Sequence, residues 1–441
     1  MENVNLLALI NLFSGIGNSL ASPFFPFLNT KFPLTDATLG WIISTYSLAS
    51  TIFNSLVPFL IKKYSHLKLL YISAFFEAFC TILYSSLIYF PSYKIFLLTI
   101  FILRIIHGCC SSMIGVVVYS LAVSLSEKEK AKIYLTNMEI GWSLGKIIGP
   151  IIGAICFKFG GYILPFLFLG MVLYFSLILV NKINLKFKTL DEEINENNED
   201  KNKKRNDDIG NFIYSTEAWI ILFGFVIGIV VDCYFYPCLT NHLTNNYGLS
   251  ISFASLFFTV PIMVYIITVG ILNNFQNNLG IYIAYTLGLI FTALGPLFVY
   301  PITILPKNIF FVLFGLVLIG AGQAPIFVQG FVLLVNIIKK ISLSKDEVTL
   351  NDISSTLNNI TIDIGGFIGP IIGGFLTTKY DFNICCFMMF IVSGVYLIIF
   401  FLYFYKDIKN KLYIMFTNRE IDKNNNDSEM EMLIEKNNEQ L

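Results

Sequence analysis

The sequence predicts an all-α membrane protein: about twelve membrane-spanning helices in two pseudo-symmetric six-helix bundles, with both ends of the chain in the cytosol. Three observations lead there. The 441 residues are 56% hydrophobic and 13% charged, whereas a soluble domain carries about 25% charged residues, so lipid is the solvent for most of the chain. Apolar runs long enough to cross a hydrocarbon core recur in two equal groups. Finally, a glycine-proline segment in the fifth run is repeated in the eleventh.

A hydrocarbon core about 30 Å thick needs about 20 apolar residues of helix, and only helices or closed barrels satisfy their own backbone polar groups there. Such runs fall at 5–29, 36–61, 69–90, 94–124, 137–159 and 162–181, then at 213–239, 250–272, 278–300, 306–337, 353–377 and 382–405. Residues 1–181 form the first bundle and 211–405 the second. Residues 182–210 contain Asp191-Glu-Glu-Ile-Asn-Glu-Asn-Asn-Glu-Asp-Lys-Asn-Lys-Lys-Arg205 and are too polar to bury a core. They are expected to be a disordered cytosolic linker, and 406–441 a tail of the same kind. The stretch Met1 to Phe13 has no basic n-region and reads as part of the first span, not as a cleaved signal. Among the short connections, Lys62, Lys63, Lys68, Lys128, Lys130, Lys132, Lys339, Lys340 and Lys345 lie on one side, against Lys31, Lys94, Lys158, Lys307 and Lys379 on the other. The richer side is the cytosolic one.

Lys plus Arg equals Asp plus Glu at 29 each, so nothing in the balance suggests nucleic acid as a partner. The eight cysteines sit inside apolar runs without zinc-type or secreted-framework spacing and read as small core hydrophobes. His66, His107 and His242 are scattered, and no His-Glu-x-x-His or phosphate-cradling loop appears, so no metal, no cofactor and no enzyme activity is expected. Gly141-Trp-Ser-Leu-Gly145 matches the hydrolase elbow pattern by accident, since an elbow needs a strand before its serine.

The repeat pairs Ser143-Leu-Gly-Lys-Ile-Ile-Gly-Pro-Ile-Ile-Gly153 with Asp363-Ile-Gly-Gly-Phe-Ile-Gly-Pro-Ile-Ile-Gly373. Parallel repeats of this kind give two halves related by an axis along the membrane normal, with a site for a small molecule between them. Gly141, Gly145, Gly149 and Gly153 form a small-residue stripe, interrupted by Pro150, that lets another helix approach closely; Gly365, Gly369, Pro370 and Gly373 match it. Its presence in both halves favours a rocking interface over simple packing. Glu77, Arg104, Glu139, Lys146, Asp232 and Asp363, with His107, are ionisable residues inside the spans. Each costs a few kcal/mol if it faces lipid, so they should face a cavity or one another. Arg104, His107, Ser111 and Gly115 share a stripe of the fourth span, and Glu139, Ser143, Lys146 and Pro150 a stripe of the fifth. Glu139 and Lys146 are about 10 Å apart along the axis, so partners on other helices, such as Arg104 or Glu77, are expected. Acids outnumber bases in the set, which favours a cation, and a desolvated carboxylate there can carry a proton.

Arg104-Ile-Ile-His-Gly108 and Gly145-Lys-Ile-Ile-Gly-Pro-Ile-Ile-Gly153 resemble signature segments of the major facilitator superfamily, the second being typical of its proton-linked antiporters. Within it, Ser22-Pro-Phe-Phe-Pro26, Asn137-Met-Glu-Ile-Gly141, Gly160-Gly-Tyr-Ile-Leu-Pro-Phe166 and Phe367-Ile-Gly-Pro-Ile-Ile-Gly-Gly-Phe375 resemble the vesicular amine transporter family, nearest its polyamine-transporting branch. The resemblance implies the major facilitator fold, Arg104 tied to proton coupling, Glu139 near the cation path and Pro150 at a bend. Two departures stand out. Lys62-Lys-Tyr-Ser-His-Leu-Lys68 keeps the basic character of the superfamily's gating loop without its usual Asp and Gly, and Lys146 places a positive charge inside the antiporter signature.

The expected function is secondary active transport by alternating access, with proton-coupled antiport of a small organic cation such as a polyamine or monoamine. The expected unit is a monomer in the lipid bilayer, its partners the small-molecule substrate and protons. The alternative is a carrier of a neutral or anionic metabolite held by Lys146 and Arg104; a non-transporting receptor or scaffold is a third class. Glu429-Met-Glu-Met-Leu-Ile434 resembles an acidic dileucine sorting signal and tips the expectation towards a vesicle or vacuolar membrane over the plasma membrane. The Asn-x-Ser/Thr matches at Asn359 and Asn426 fall on the cytosolic side and should stay unmodified.

Overall fold

A computed structural model describes residues 2–124, 131–187, 215–275, 280–300, 308–341 and 347–409. Twelve helical segments in it are long and apolar enough to cross a membrane: α1 (Asn3–Thr30), α2 (Asp36–Ile61), α3 (His66–Tyr89), α4 (Tyr93–Ala122), α5 (Ile133–Gly160), α6 (Ile163–Ile183), α7 (Thr216–Cys233), α8 (Ile251–Leu272), α9 (Ile281–Val299), α10 (Ile309–Lys340), α11 (Thr356–Tyr380) and α12 (Phe382–Tyr403). An even number of spans brings Asn3 and Tyr403 to one face, called here the terminal face.

Large apolar side chains cover the outside, among them Phe59, Leu98, Phe159, Phe223, Ile267 and Leu402. This is the arrangement expected when the surrounding solvent is hydrocarbon. Inside, α1–α6 enclose a core around Phe24, Phe25, Tyr84 and Phe166 near the far face and a second around Leu7, Leu70, Val117 and Leu121 near the terminal face. The second half is built alike, around Phe235, Leu239 and Cys385 at one end and Phe225, Tyr285 and Phe400 at the other. Across the seam between halves α2 packs on α11, and α5 packs on α8.

Hydroxyl caps start several spans. Thr35 accepts from Thr38 N before α2, Ser215 from Ala218 N before α7, and Ser250 from Phe253 N before α8, each satisfying an amide left orphaned by the first turn. The α2–α3 connection is a single turn in which Ser65 has φ 66° and ψ 152°, a region that is essentially glycine's. The sequence has no glycine in this connection, and a serine bears the strain.

Three of the boundaries that differ from the sequence reading carry a physical reason or extend a bundle. Span seven, expected as one run over 213–239, stops as a helix at Cys233 and continues as tight turns, Tyr236 N to Cys233 O and Cys238 N to Phe235 O. A short helix Leu239–Tyr247 follows. Pro237 has no N–H to continue the ladder, and hydropathy cannot register the break because Tyr234 to Cys238 stays apolar. Helix continues to Phe187, beyond the expected bundle edge at 181 and into the expected linker at 182–210. Helical backbone likewise runs to residue 409, past 405. The rest of the linker, most of the tail, Asn426 and the Glu429–Ile434 segment lie outside the described residues.

Candidate functional site

The seven embedded ionisable residues fall into two groups. Glu77, Arg104 and His107 are sealed inside the first half at 3%, 2% and 0% exposure. Glu77 Oε1 accepts from Ser14 Oγ at 2.6 Å and lies 3.6 Å from His107 Nε2; His107 Nδ1 is 3.1 Å from the Tyr84 hydroxyl. Ser14 contacts Ser111 at 3.1 Å, and Tyr46 donates to Ser111 Oγ at 2.6 Å. Arg104 donates through Nε to Ile42 O at 3.1 Å and through Nη2 to Ile43 O at 2.9 Å, with its guanidinium 4.8 Å from the Tyr46 ring centre and 5.9 Å from that of Phe25. Spans α1 to α4 are thus tied by one buried polar chain. Charge-assisted bonds to two carbonyls and ring faces offset the desolvation that a lone buried guanidinium would suffer.

The second group lies at the seam. Glu139 on α5 is exposed, while Lys146, Asp232 and Asp363 are half-buried. Glu139 Oε2 accepts a hydrogen bond from Tyr119 of α4, and its helix packs on α8 of the facing half. Asp363 Oδ2 accepts from Asn54 Nδ2 across the α2–α11 contact at 2.7 Å, and Asn54 Oδ1 accepts from Ser112 at 2.7 Å. Asp232 Oδ2 accepts from Tyr236 at 3.0 Å. Lys146 extends over the Trp142 ring, 5.6 Å from its centre. Asp363 thus bonds across the seam, Glu139 and Lys146 sit on α5, which packs on α8 of the other half, and tyrosine hydroxyls bond Glu139 and Asp232.

This arrangement corrects two expectations. Arg104 and Glu77 do not pair with Glu139 or Lys146; they belong to the sealed chain, because α2 and α4 close over them before the seam is reached. The glycine stripes do not face the other half either. A Cβ on Gly141, Gly145 or Gly149 would come 2.4 Å from Ala8 O, 2.1 Å from Leu12 O and 2.2 Å from Ser19 Oγ, all on α1, and one on Gly153 would strike Phe24 of the same span. Gly365, Gly369 and Gly373 meet Ile229, Cys233 and Tyr234 at the matching place in the second half. The stripes bolt the first and fifth helices of each half together. The close approach between halves uses other glycines. A Cβ on Gly40 would lie 2.3 Å from Pro370 O, and one on Gly374 would lie 2.2 Å from Asp36 O.

At the face opposite the termini the halves are latched. Ala37 N donates to Thr378 Oγ1 at 2.8 Å, Asn241 Nδ2 to Asp36 Oδ1 at 2.7 Å and Thr240 Oγ1 to Pro23 O at 3.2 Å. Charge in the sequence does not mark Asn54, Ser112, Tyr119, Tyr236 or Asn241. A neutral polar residue within a span is ordinary, so only their placement opposite carboxylates marks them. Among the described residues no three His, Cys, Asp or Glu side chains cluster as metal ligands, and all eight cysteines are free.

A sequence profile described as Major Facilitator Superfamily matches this chain twice, over residues 7–343 and 218–414. The MFS-type transporter SLC18B1 of Rattus norvegicus is 25% identical over 400 residues, spanning 85% of this chain and 80% of that protein. Its Mus musculus counterpart is 24% identical over 420 residues, spanning 90% and 85%. Among solved structures, that of the nucleoside transporter NupG superposes with a TM-score of 0.70 at 13% identity, covering 92% of this chain and 99% of that one. At that identity the likeness speaks to fold alone.

Proposed function

The chain belongs to the major facilitator superfamily of membrane transporters, and on that premise we propose that it exchanges a small organic cation, such as a polyamine or a monoamine, for protons. The two halves rock about the seam, opening it alternately to each side of the membrane. One observation carries the reading: Asp363 bonds across the seam and Glu139 sits on the α5 face of it, half-buried or exposed acids that with Asp232 outnumber the single ammonium of Lys146, and Tyr119 and Tyr236 are bonded to two of them. A hydrated or half-desolvated site with surplus carboxylate charge favours ammonium groups, and tyrosine faces beside them add cation–π attraction.

The sealed Glu77–His107 contact supplies a place for a proton away from the solute. It reaches the seam through neighbouring residues: Ser111 lies in the sealed chain, and Ser112, next along α4, donates to Asn54 and so to Asp363. Tyr46 and Ser47 bridge α2 in the same way, since Tyr46 bonds inward and Ser47 lies against Gly366 of α11. A protonation change at Glu77 thus bears on α2, the helix that packs on α11 of the other half.

The protein works as a monomer with both ends in the cytosol, in a vesicle or vacuolar membrane. Uptake of labelled spermidine into proteoliposomes under an imposed pH gradient tests the function. Uptake that rises with the gradient and collapses with a protonophore is expected, and uptake indifferent to the gradient would remove proton coupling. The placement of Lys146 at the seam gives a neutral or anionic solute its one foothold, because Arg104 is sealed and bound to carbonyls. Under that reading Lys146→Met abolishes all solute movement, and acidic metabolites, not amines, compete.

A further inference from the structure

A cavity of about 740 Å³ lies at the latched face, a size suited to a small organic ligand. Its walls come from both halves. Asn29, Thr30 and Asp36 belong to the end of α1 and the start of α2, while Asn241, Thr244 and Asn245 belong to the short helix between α7 and α8, the corresponding place in the second half. Phe27, Leu34 and Leu249 add apolar surface. Among the described residues that line it, Asp36 is the one carboxylate and none is Lys, Arg or His. The hydroxyls there have spent their protons: Thr30 Oγ1 donates to Phe27 O at 2.9 Å and Thr244 Oγ1 to Asn241 O at 3.1 Å. Each keeps only lone pairs for a ligand. Half-buried Asp36 accepts from Asn241 Nδ2 through Oδ1 at 2.7 Å, and its Oδ2 has no partner among the described residues. An unbalanced carboxylate among oxygen acceptors suits a positively charged N–H donor, and the apolar surface suits methylene groups.

We propose that this cavity binds a small alkylammonium from the side of the membrane opposite the termini, and that its occupancy holds the latch closed. The ammonium sits on Asp36 and the carbon chain on Phe27 and Leu34. Parting the halves carries Asn241, Thr244 and Leu249 away from Asp36, so the complete site exists only while the latch is shut. A ligand that binds one of two states shifts the population towards that state. Every cycle of a rocking carrier must part the latch, so an alkylammonium on that side slows the cycle. This holds whatever solute the seam carries, and failure of the exchange reading leaves it standing.

The test uses the full chain in nanodiscs with 1,4-diaminobutane as the probe. Spin labels at Tyr89 and Tyr380, exposed residues of the two halves at that face and outside the cavity, report the latched and open populations. The probe is expected to raise the latched-to-open ratio about tenfold at about ten times its dissociation constant. Asp36→Asn keeps an oxygen for Asn241 and removes the charge, so the concentration needed should rise about tenfold or more. Asn245→Lys, at an exposed position where folding is undisturbed, sets a competing ammonium in the cavity and should do the same. Asp363→Asn, at the seam, should leave that concentration unchanged. A response that survives Asp36→Asn and Asn245→Lys but vanishes with Asp363→Asn would move the effect to the seam and overturn the proposal, as would no response or a fall in the latched fraction. Calcium acting as well as the diammonium would reduce Asp36 to a plain charge and overturn the organic ligand class.

Discussion

Two sets of glycines make close helix contacts, and the structure assigns them different work. Gly374→Ala would place a methyl 2.2 Å from the carbonyl oxygen of Asp36 and 2.9 Å from its carbon, and Gly40→Ala would place one 2.3 Å from Pro370 O. These are backbone atoms of the opposite half and cannot rotate away. Overpacking of this kind costs about 1–3 kcal/mol. The cost falls on the state in which the latched face is closed, because opening that face parts α2 from α11. The ratio of closed to open molecules should therefore fall by about 5–150-fold. Gly145→Ala, which presses on Leu12 O at 2.1 Å within one half, burdens both states alike. It should lower the unfolding temperature without moving the ratio. Spin-label distances between Thr30 and Asn245, one on each half at the latched face, measure the populations in nanodiscs. Equal shifts for Gly374→Ala and Gly145→Ala would refute the division between bolts and seam.

Other substitutions probe the two polar groups. Arg104→Met removes donors to the Ile42 and Ile43 carbonyls, and with hydrogen bonds to a charged group contributing about 1.5–3 kcal/mol each the unfolding temperature should drop measurably; Arg104→Lys should not rescue it, since an ammonium lacks the two-pronged fork. Asn54→Leu strips Asp363 of its 2.7 Å donor across the seam, and the apparent KM for spermidine uptake should change about tenfold or more with little change in thermal stability. Glu77→Gln keeps the acceptor for Ser14 but cannot exchange a proton with His107, so spermidine uptake should lose its dependence on the pH gradient while exchange continues; gradient-driven uptake at the original level would exclude Glu77 from coupling.

Much of the fold was legible because lipid is an unforgiving solvent. Runs of apolar residues had to be helices, and the matched segments at 143–153 and 363–373 had to be related halves. What escaped reading follows from the same physics. Hydropathy is blind to hydrogen-bond direction, so the turn from Tyr234 to Cys238 passed for helix. Asn181 to Phe187 mixes four polar residues with three apolar ones, too polar for a span yet helical in the structure. Periodicity placed Glu139 and Lys146 on one face, away from the glycines, but could not say which neighbour that face meets. Burial separates Arg104 and Glu77 from the seam acids, and burial depends on α2 and α4 closing together, with Gly108 against Tyr46 O, a contact no single helix encodes. The partners Asn54, Tyr119 and Tyr236 carry no charge, and their role is visible only where they meet a carboxylate.

Alternating access requires the halves to separate at the face opposite the termini, where Ala37 N and Thr378 Oγ1 now lie 2.8 Å apart. Pairing Ala37→Cys with Thr378→Cys and oxidising the full chain in proteoliposomes tests this directly. Spermidine uptake should stop on oxidation and return on reduction, while each single variant continues to transport. Undiminished uptake by protein that is fully cross-linked would contradict the rocking of the two halves on which the account depends.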